Sequence, residues 1–346
     1  MGAQLSCIAA LSEMKAVVLS RYGGPDALEL SDVPPPIPKT DQVLVRVHAA
    51  SLNDWDWEIL RGQSLLVRVL HGLITPKVRI LGCDIAGRVA RVGEGVKSLR
   101  VGDEVYGDLC MQGFGAFAEY ACAAEASLAR KPAGMTFEQA AAIPQAGMLA
   151  VQALIDVGRI RPRQKVLLNG AGGGVGTLAL QIAKKQYDAE VTVIDRADKL
   201  DMLGALGADH VIDYGEEDFT RSARSYDLIV DVKTNRSPFA YARALSAKGT
   251  YVTVGGSIPR LLQTAMLGPL ISRVSGKQVR VVGLKPNKDL AYINQLFEAG
   301  ALTPVIDRQY VFSDIADAFR RFGAADHKGK IVLTMGEDAR ESVAQV

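Results

Sequence analysis

Residues 165–185 read KVLLNGAGGGVGTLALQIAKK, with five glycines in the seven positions 170–176. An apolar run precedes them and a helix-like run follows, so the glycines fall where a strand turns into a helix. A turn stripped of side chains in this way lets something lie directly against its main chain. Ala171-x-Gly173-x-x-Gly176 has the G-x-G-x-x-G spacing with alanine first. Asp195 follows Gly176 by 19 positions, at the end of the next apolar run, close to the ~20 of the dinucleotide fingerprint. A pyrophosphate there meets free N–H groups and the positive end of the helix dipole. A Cβ at Gly173 would block that approach, and one at Gly176 would push the helix off its sheet. Gly170, Gly174 and Val175 complete the cradle, and Asp195 is placed to accept from an adenosine ribose. The competing reading is a glycine-rich turn that binds nothing.

The rest of the chain gives this loop a setting. Apolar runs at 166–169, 191–194, 210–213, 227–231, 250–254 and 279–283 alternate with helical runs at 175–186, 197–206 and 238–246. That alternation implies a parallel sheet covered on both faces. Before residue 137 the pattern differs. Short β runs punctuated by glycine occur at 14–20, 42–48, 82–96, 101–107 and 117–123, and VPPPIPKT at 33–40 is no central strand because proline lacks the ladder donor. The stretch 136–158 reads as two helices parted near Pro144, with Thr136 and Gln139 spaced as a capping box. After the alternating segment, strands at 305–312 and 330–335 flank a helix at 313–323. The expected architecture is therefore α/β. A doubly wound parallel sheet over 138–283 is inserted in a β-rich domain made of 1–137 and 284–346.

Composition narrows the partners. The formal net charge is +2 with charged residues at 23%, and no block of like charge argues for nucleic acid or an anionic membrane. The four cysteines, 7, 83, 110 and 122, show no C-x-x-C spacing and suit a reducing cytoplasm. No uncharged apolar run reaches the ~18 residues of a membrane span. LSCIAAL at 5–11 lacks the basic flank and cleavage site of a signal peptide. MGAQLS at 1–6 fits the short myristoylation pattern and is read as a chance match.

Taken together, several stretches resemble one family: AASLND (49–54), LGCDIAGRVARVGEGV (81–96), VGDEVYG (101–107), AAAIPQAG (140–147), GAGGGVG (170–176), LGADHVIDY (206–214), GTYVTVGG (249–256) and HKGKIVL (327–333). They are similar to the zinc-independent quinone oxidoreductases, zeta-crystallin-like, of the medium-chain dehydrogenase/reductase superfamily. The resemblance covers nearly the whole chain from Met14. It implies a GroES-like β domain beside a Rossmann domain, with an active site in the cleft. The activity implied is NAD(P)H-dependent reduction of quinones or α,β-unsaturated carbonyls.

The zinc members of that superfamily set a Cys, a His-Glu pair and a second Cys around a catalytic metal. This chain has Asn53, Cys83-Asp84 and Gln145 in those places. One thiol and one carboxylate do not make a tetrahedral zinc site, and the four-cysteine structural lobe is missing, so no metal is expected. Reduction of a quinone or enone leaves negative charge on a carbonyl oxygen, which a placed donor stabilises by a few kcal/mol. Asn53 is the first candidate donor. Asp56, in the same NDWDW stretch, would orient Asn53 or bond to the nicotinamide ribose. Asp54 stands where relatives often carry proline, so the loop can differ in shape. Trp55 and Trp57 would line a pocket for a flat substrate or pack in the core. Histidines 48, 71, 210 and 327 form no motif, which leaves solvent to deliver the proton.

The resemblance also implies that Gly255 and Gly256, Gly283 and Leu284 present backbone to the nicotinamide, and that Lys330 lies near the coenzyme. Asp195 would repel a 2′-phosphate and favours NADH. Arg196, Lys199 and Tyr214 sit where relatives using NADPH hold that phosphate. The balance tips to NADH, with dual use expected. Residues 61–77 read as a substrate lid, a partner surface or, first of the three, an ordinary helix packed on the core. Relatives usually pair as homodimers through the Rossmann sheet edge, for which the strand at 250–254 is one candidate. An enoyl-thioester reductase and a non-catalytic nucleotide-binding scaffold are the alternatives. The first would need a tyrosine acid and a long acyl pocket, neither of which can be placed in the sequence.

Overall fold

The computed structural model describes residues 12–222 and 224–335. Cys7 and the MGAQLS pattern lie outside the described residues. The chain folds as two compact units. One comprises Met1–Gln145, Pro286–Asn294 and Ile306–Val346, and the other Ala146–Lys285 with Gln295–Val305.

The first unit begins with strands β1 (Met14–Leu19), β2 (Leu28–Val33) and β3 (Gln42–Ser51), then helices α1 (Asp54–Arg61) and α2 (Leu65–His71). Strands β4 (Asp84–Val92), β5 (Glu104–Asp108), β6 (Tyr120–Ala124) and β7 (Leu128–Arg130) follow, with the short helix α3 (Phe137–Ala141) after them. Thr136 caps α3 through the expected box: its Oγ1 accepts from Gln139 N at 3.2 Å, and Gln139 Oε1 accepts from Thr136 N at 3.0 Å.

The second unit runs through α4 (Pro144–Val151), β8 (Lys165–Asn169), α5 (Gly174–Tyr187), β9 (Glu190–Asp195), α6 (Ala197–Ala205) and β10 (His210–Asp213). It continues with β11 (Tyr226–Asp231), α7 (Pro238–Ala244), β12 (Leu245–Thr253), α8 (Ile258–Ser275) and β13 (Gln278–Val281). The chain closes with α9 (Leu290–Glu298), β14 (Ile306–Val311), α10 (Ile315–Gly323) and β15 (Lys330–Thr334).

In the second unit the sheet order is β10-β9-β8-β11-β12-β13, and every pairing is parallel. This is the doubly wound Rossmann order, with its switch point beside β8. Val166, Leu167 and Leu168 are fully buried, as expected of a strand covered on both faces. The GroES-like unit instead has a sheet ordered β14-β15-β3-β4-β5-β7, with β6 also pairing with β3. Its core gathers Val45, Ile85, Phe117 and Phe319 among others.

Three details correct the sequence reading. The strand at 250–254 is not an edge, because β12 lies between β11 and β13; the edge strands of this sheet are β10 and β13. Residues 61–77 are not one helix packed on the core, since Arg61 ends α1, a separate helix spans 65–71, and within that helix only Val67 is buried. The third is α8, an 18-residue helix with no counterpart in the helical runs read from sequence. Pro259, Gly268 and Pro269 carry breaker signals, and apolar residues on several faces blur its period.

Candidate active site

The coenzyme cradle is built on the second unit's sheet. Because the strands are parallel, the segments that follow them share one edge: the loop 170–176 after β8, Asp195 at the end of β9, Tyr214 after β10, Gly255 and Gly256 after β12, and Gly283 and Leu284 after β13. All the expected coenzyme residues except Lys330 therefore lie along this edge. A cavity of about 370 Å³ bordered by Lys165, Glu190, His210 and Tyr226 opens at the opposite strand ends and is no part of the site.

The loop's glycines divide by what surrounds them. Gly170 adopts φ +75°, and Gly173 is the N-cap of α5 with no side chain bonded to that helix end. A Cβ on Gly176 would lie 2.4 Å from Ala171 Cα and 2.5 Å from Ala171 O, so this glycine lets the helix seat against its own loop. A Cβ on Gly173 would meet nothing within 4 Å. That open space, over uncapped N–H groups of a 14-residue helix, fits a diphosphate. Beneath it, Asn169 Nδ2 donates to Asp231 Oδ1 at 2.7 Å and Tyr251 OH to Asp231 Oδ2 at 2.8 Å, bracing the end of β8.

Asp195 is tied into the loop. Its Oδ2 accepts from Gly172 N at 2.7 Å and its Oδ1 from Arg196 N at 2.9 Å, and Lys199 Nζ stands 3.9 Å from Oδ1. Burial lowers the Lys199 ammonium below its ordinary value, and the Asp195 charge partly restores it. Arg196 forks onto Asp198 at 3.0 and 3.1 Å. Tyr214 is exposed.

A second cluster forms within the first unit, where β15, β3 and β4 lie side by side. Ser51 opposes Asp84 across β3 and β4, and Lys330 opens β15. Lys330 Nζ donates to Asn53 Oδ1 at 2.6 Å, to Leu52 O at 2.8 Å and to Asp84 Oδ2 at 3.2 Å. Asp84 also accepts from Ser51 Oγ and Gln145 N, each at 3.0 Å. Lys330, Asn53 and Asp84 are all buried. Asn53 Nδ2 reaches only Ser51 O, at 3.5 Å, the outer limit of a hydrogen bond. Lys330, expected beside the coenzyme, thus meets Asn53 and Asp84. Sequence reasoning noted Asp84 only as a lost metal ligand. A partner 246 positions away from Lys330 leaves no local signal.

Asp56 is fully buried, and both its oxygens are engaged: Oδ2 accepts from Asn53 N at 3.0 Å and Oδ1 from Gly82 N at 2.9 Å. It fixes the Asn53 backbone at the start of α1. Burial pushes its carboxyl up to about 7, opposed by those two N–H groups. Trp57, half-buried, stacks on Phe319 at 6.2 Å against the core, while Trp55 is exposed. Each histidine has a structural setting: His48 against Phe137, His71 between Trp55 and Phe114, His210 on Glu190 and His327 on Phe322. Among the described residues, no group of three or more His, Cys, Asp or Glu side chains could hold a metal ion.

A GroES-like unit joined to a Rossmann unit defines a two-domain dehydrogenase/reductase. Residues 39–133 match the alcohol dehydrogenase GroES-like domain and residues 206–333 a family described as zinc-binding dehydrogenase. The chain is 34% identical to the chloroplastic NADPH-dependent alkenal/one oxidoreductase of Arabidopsis thaliana, over 93% of this chain and 79% of that protein. It is 32% identical to the chloroplastic quinone-oxidoreductase homolog of Spinacia oleracea, over 92% and 98%. The solved quinone oxidoreductase of Coxiella burnetii superposes with a TM-score of 0.84 at 29% identity, covering 94% of this chain and all of that one. The chain belongs to the zinc-independent quinone oxidoreductase-like family of the medium-chain dehydrogenase/reductase superfamily.

Proposed function

We propose that this protein reduces quinones or α,β-unsaturated carbonyls with a nicotinamide coenzyme and without a metal. The observation that carries the reading is the buried Lys330–Asn53 contact beside a helix start. An ammonium bound at Oδ1 polarises the Asn53 amide and makes its Nδ2 a stronger donor. When bound, the nicotinamide supplies the hydride. The chain's own residues hold the diphosphate on the main chain of 170–176, and present Asn53 Nδ2 to the carbonyl oxygen as negative charge gathers there. Asp84 and Leu52 O fix Lys330, Asp56 fixes the Asn53 backbone, and water provides the final proton.

Both coenzymes are expected to bind. The lean to NADH rests on the charge of Asp195, yet that carboxylate is committed to two amides and sits near Lys199. With Arg196 adjacent, this corner also supports a 2′-phosphate. Steady-state oxidation of NADH and NADPH against a panel of quinones and enones tests the proposal. Turnover with at least one acceptor class is the expected result. Coenzyme binding without turnover on any acceptor would favour the scaffold reading. Turnover confined to acyl thioesters would favour the enoyl-thioester one.

The open edge of β13 and the exposed residues Leu262, Met266, Leu270 and Val274 on α8 support a homodimer through the Rossmann unit. Cys83, Cys110 and Cys122 are free thiols, which supports a reducing compartment such as the cytoplasm. No helix among the described residues is long and apolar enough to cross a membrane.

A further inference from the structure

The segment from Ile59 to Cys83 contains no acidic residue and four cations, Arg61, Arg68, Lys77 and Arg79. With the whole chain at +2, everything outside this stretch carries a net −2. The near-neutral total therefore conceals acid-free basic stretches, of which this is one.

The same segment turns its apolar side outward. Leu65, Leu66, Val69, Leu70, Leu73 and Ile74 are all exposed, from 51% for Leu66 to 86% for Ile74. Polar groups meanwhile hold its inner side. Arg68 Nε donates to Gly62 O at 2.6 Å with its guanidinium over the Tyr22 ring, and Tyr22 OH donates to Gly72 O at 2.6 Å. Gly72 has φ +120°, and a Cβ there would lie 2.0 Å from Thr75 O, so the turn after α2 is tightly built. His71 packs edge-on to Trp55 and Phe114, and the Trp55 contact ties α2 to α1. An ordinary surface helix buries its apolar stripe. Here a pinned backbone displays one, and exposed apolar patches of this kind mark interaction sites.

We propose that residues 65–79 dock on an anionic lipid surface, with the six apolar side chains entering the headgroup boundary and Lys77 and Arg79 facing lipid phosphates. Apolar anchors combined with cations and no acids are the chemistry such a surface recognises. The inference does not depend on the redox reading, and its test involves no turnover.

The test is co-sedimentation of the full chain with vesicles of phosphatidylcholine alone and of phosphatidylcholine mixed with phosphatidylglycerol, at low and high salt. Binding to the mixed vesicles is expected, at least tenfold tighter than to neutral ones and weakened by salt. Leu66→Glu combined with Leu70→Glu should abolish it, and Lys77→Glu or Arg79→Glu should each weaken it about fivefold or more. These positions are exposed, so unchanged melting confirms that the variants fold. No binding to mixed vesicles, equal binding to both vesicle types, or binding unaltered by the Leu66/Leu70 change would overturn the proposal. A wild type that is larger by light scattering than the Leu66/Leu70 variant would instead make the patch an interface between copies.

Discussion

The proposed coenzyme cradle and the proposed Asn53 donor site would do comparable electrostatic work by opposite constructions. In the proposed cradle, charge would be recognised by main chain, and the requirement on sequence is to keep side chains away: seven consecutive residues and one acid 19 positions later carry the pattern. In the Asn53 cluster, the side chains of Asn53 and Asp84 and the main-chain carbonyl of Leu52, far from Lys330 in sequence, converge on its single buried ammonium. A site of absences is compact in sequence, whereas a site of converging side chains is scattered through it.

That contrast can be broken most severely at Gly176. Gly176→Ala should cost about 3 kcal/mol of stability, because the new Cβ meets Ala171 backbone that cannot yield. Gly173→Ala should cost only about 1 kcal/mol, an N-cap effect, while weakening coenzyme binding at least tenfold in a fluorescence titration. Equal melting shifts in the two variants would erase the distinction between a packing glycine and a ligand-facing one.

The second cluster responds differently. Lys330→Met should lower kcat about 100-fold with little change in KM. It should also destabilise the fold by about 3 kcal/mol, because Asp84 is left buried and unpaired. Combining it with Asp84→Asn should restore melting but not rate. Recovery of both would reduce Lys330 to a structural ion pair.

A smaller effect is expected from pH. Burial holds Asp56 at about 7, against about 4 in an unfolded chain. The folded state binds that proton more tightly, so stability falls as pH rises from about 4 to 7, by at most about 4 kcal/mol. Asp108, raised to about 6 by burial and by the Asp84 charge, adds a slope of the same sign. Asp56→Asn should flatten the wild-type decline in melting temperature between these limits. An unchanged slope would show that other groups set it.

Legibility in the sequence followed the same division. The parallel sheet, its order of strand and helix, the glycine loop and Asp195 all carry short-range periodicity or spacing, and these emerged close to their true bounds. Thr136 and Gln139, three positions apart, were equally legible. Asp84 as the partner of Lys330 was not, because register between β15, β3 and β4 is a property of the assembled sheet. The helix α8 was lost to its prolines, and the outward face of α2 to the assumption that leucines point inward. Asp56 was recognised as belonging to the Asn53 loop, but its burial and its bonds to Asn53 N and Gly82 N are properties of the folded chain that spacing does not carry.

Asn53→Asp offers the most direct measurement. It keeps the size and the helix cap while replacing the amide donor with an acceptor. In single-turnover reduction of a quinone at saturating NADPH, the account predicts a rate about 100-fold below wild type with coenzyme affinity unchanged. A variant that reduces the quinone at the wild-type rate would contradict the assignment of Asn53 as the oxyanion donor.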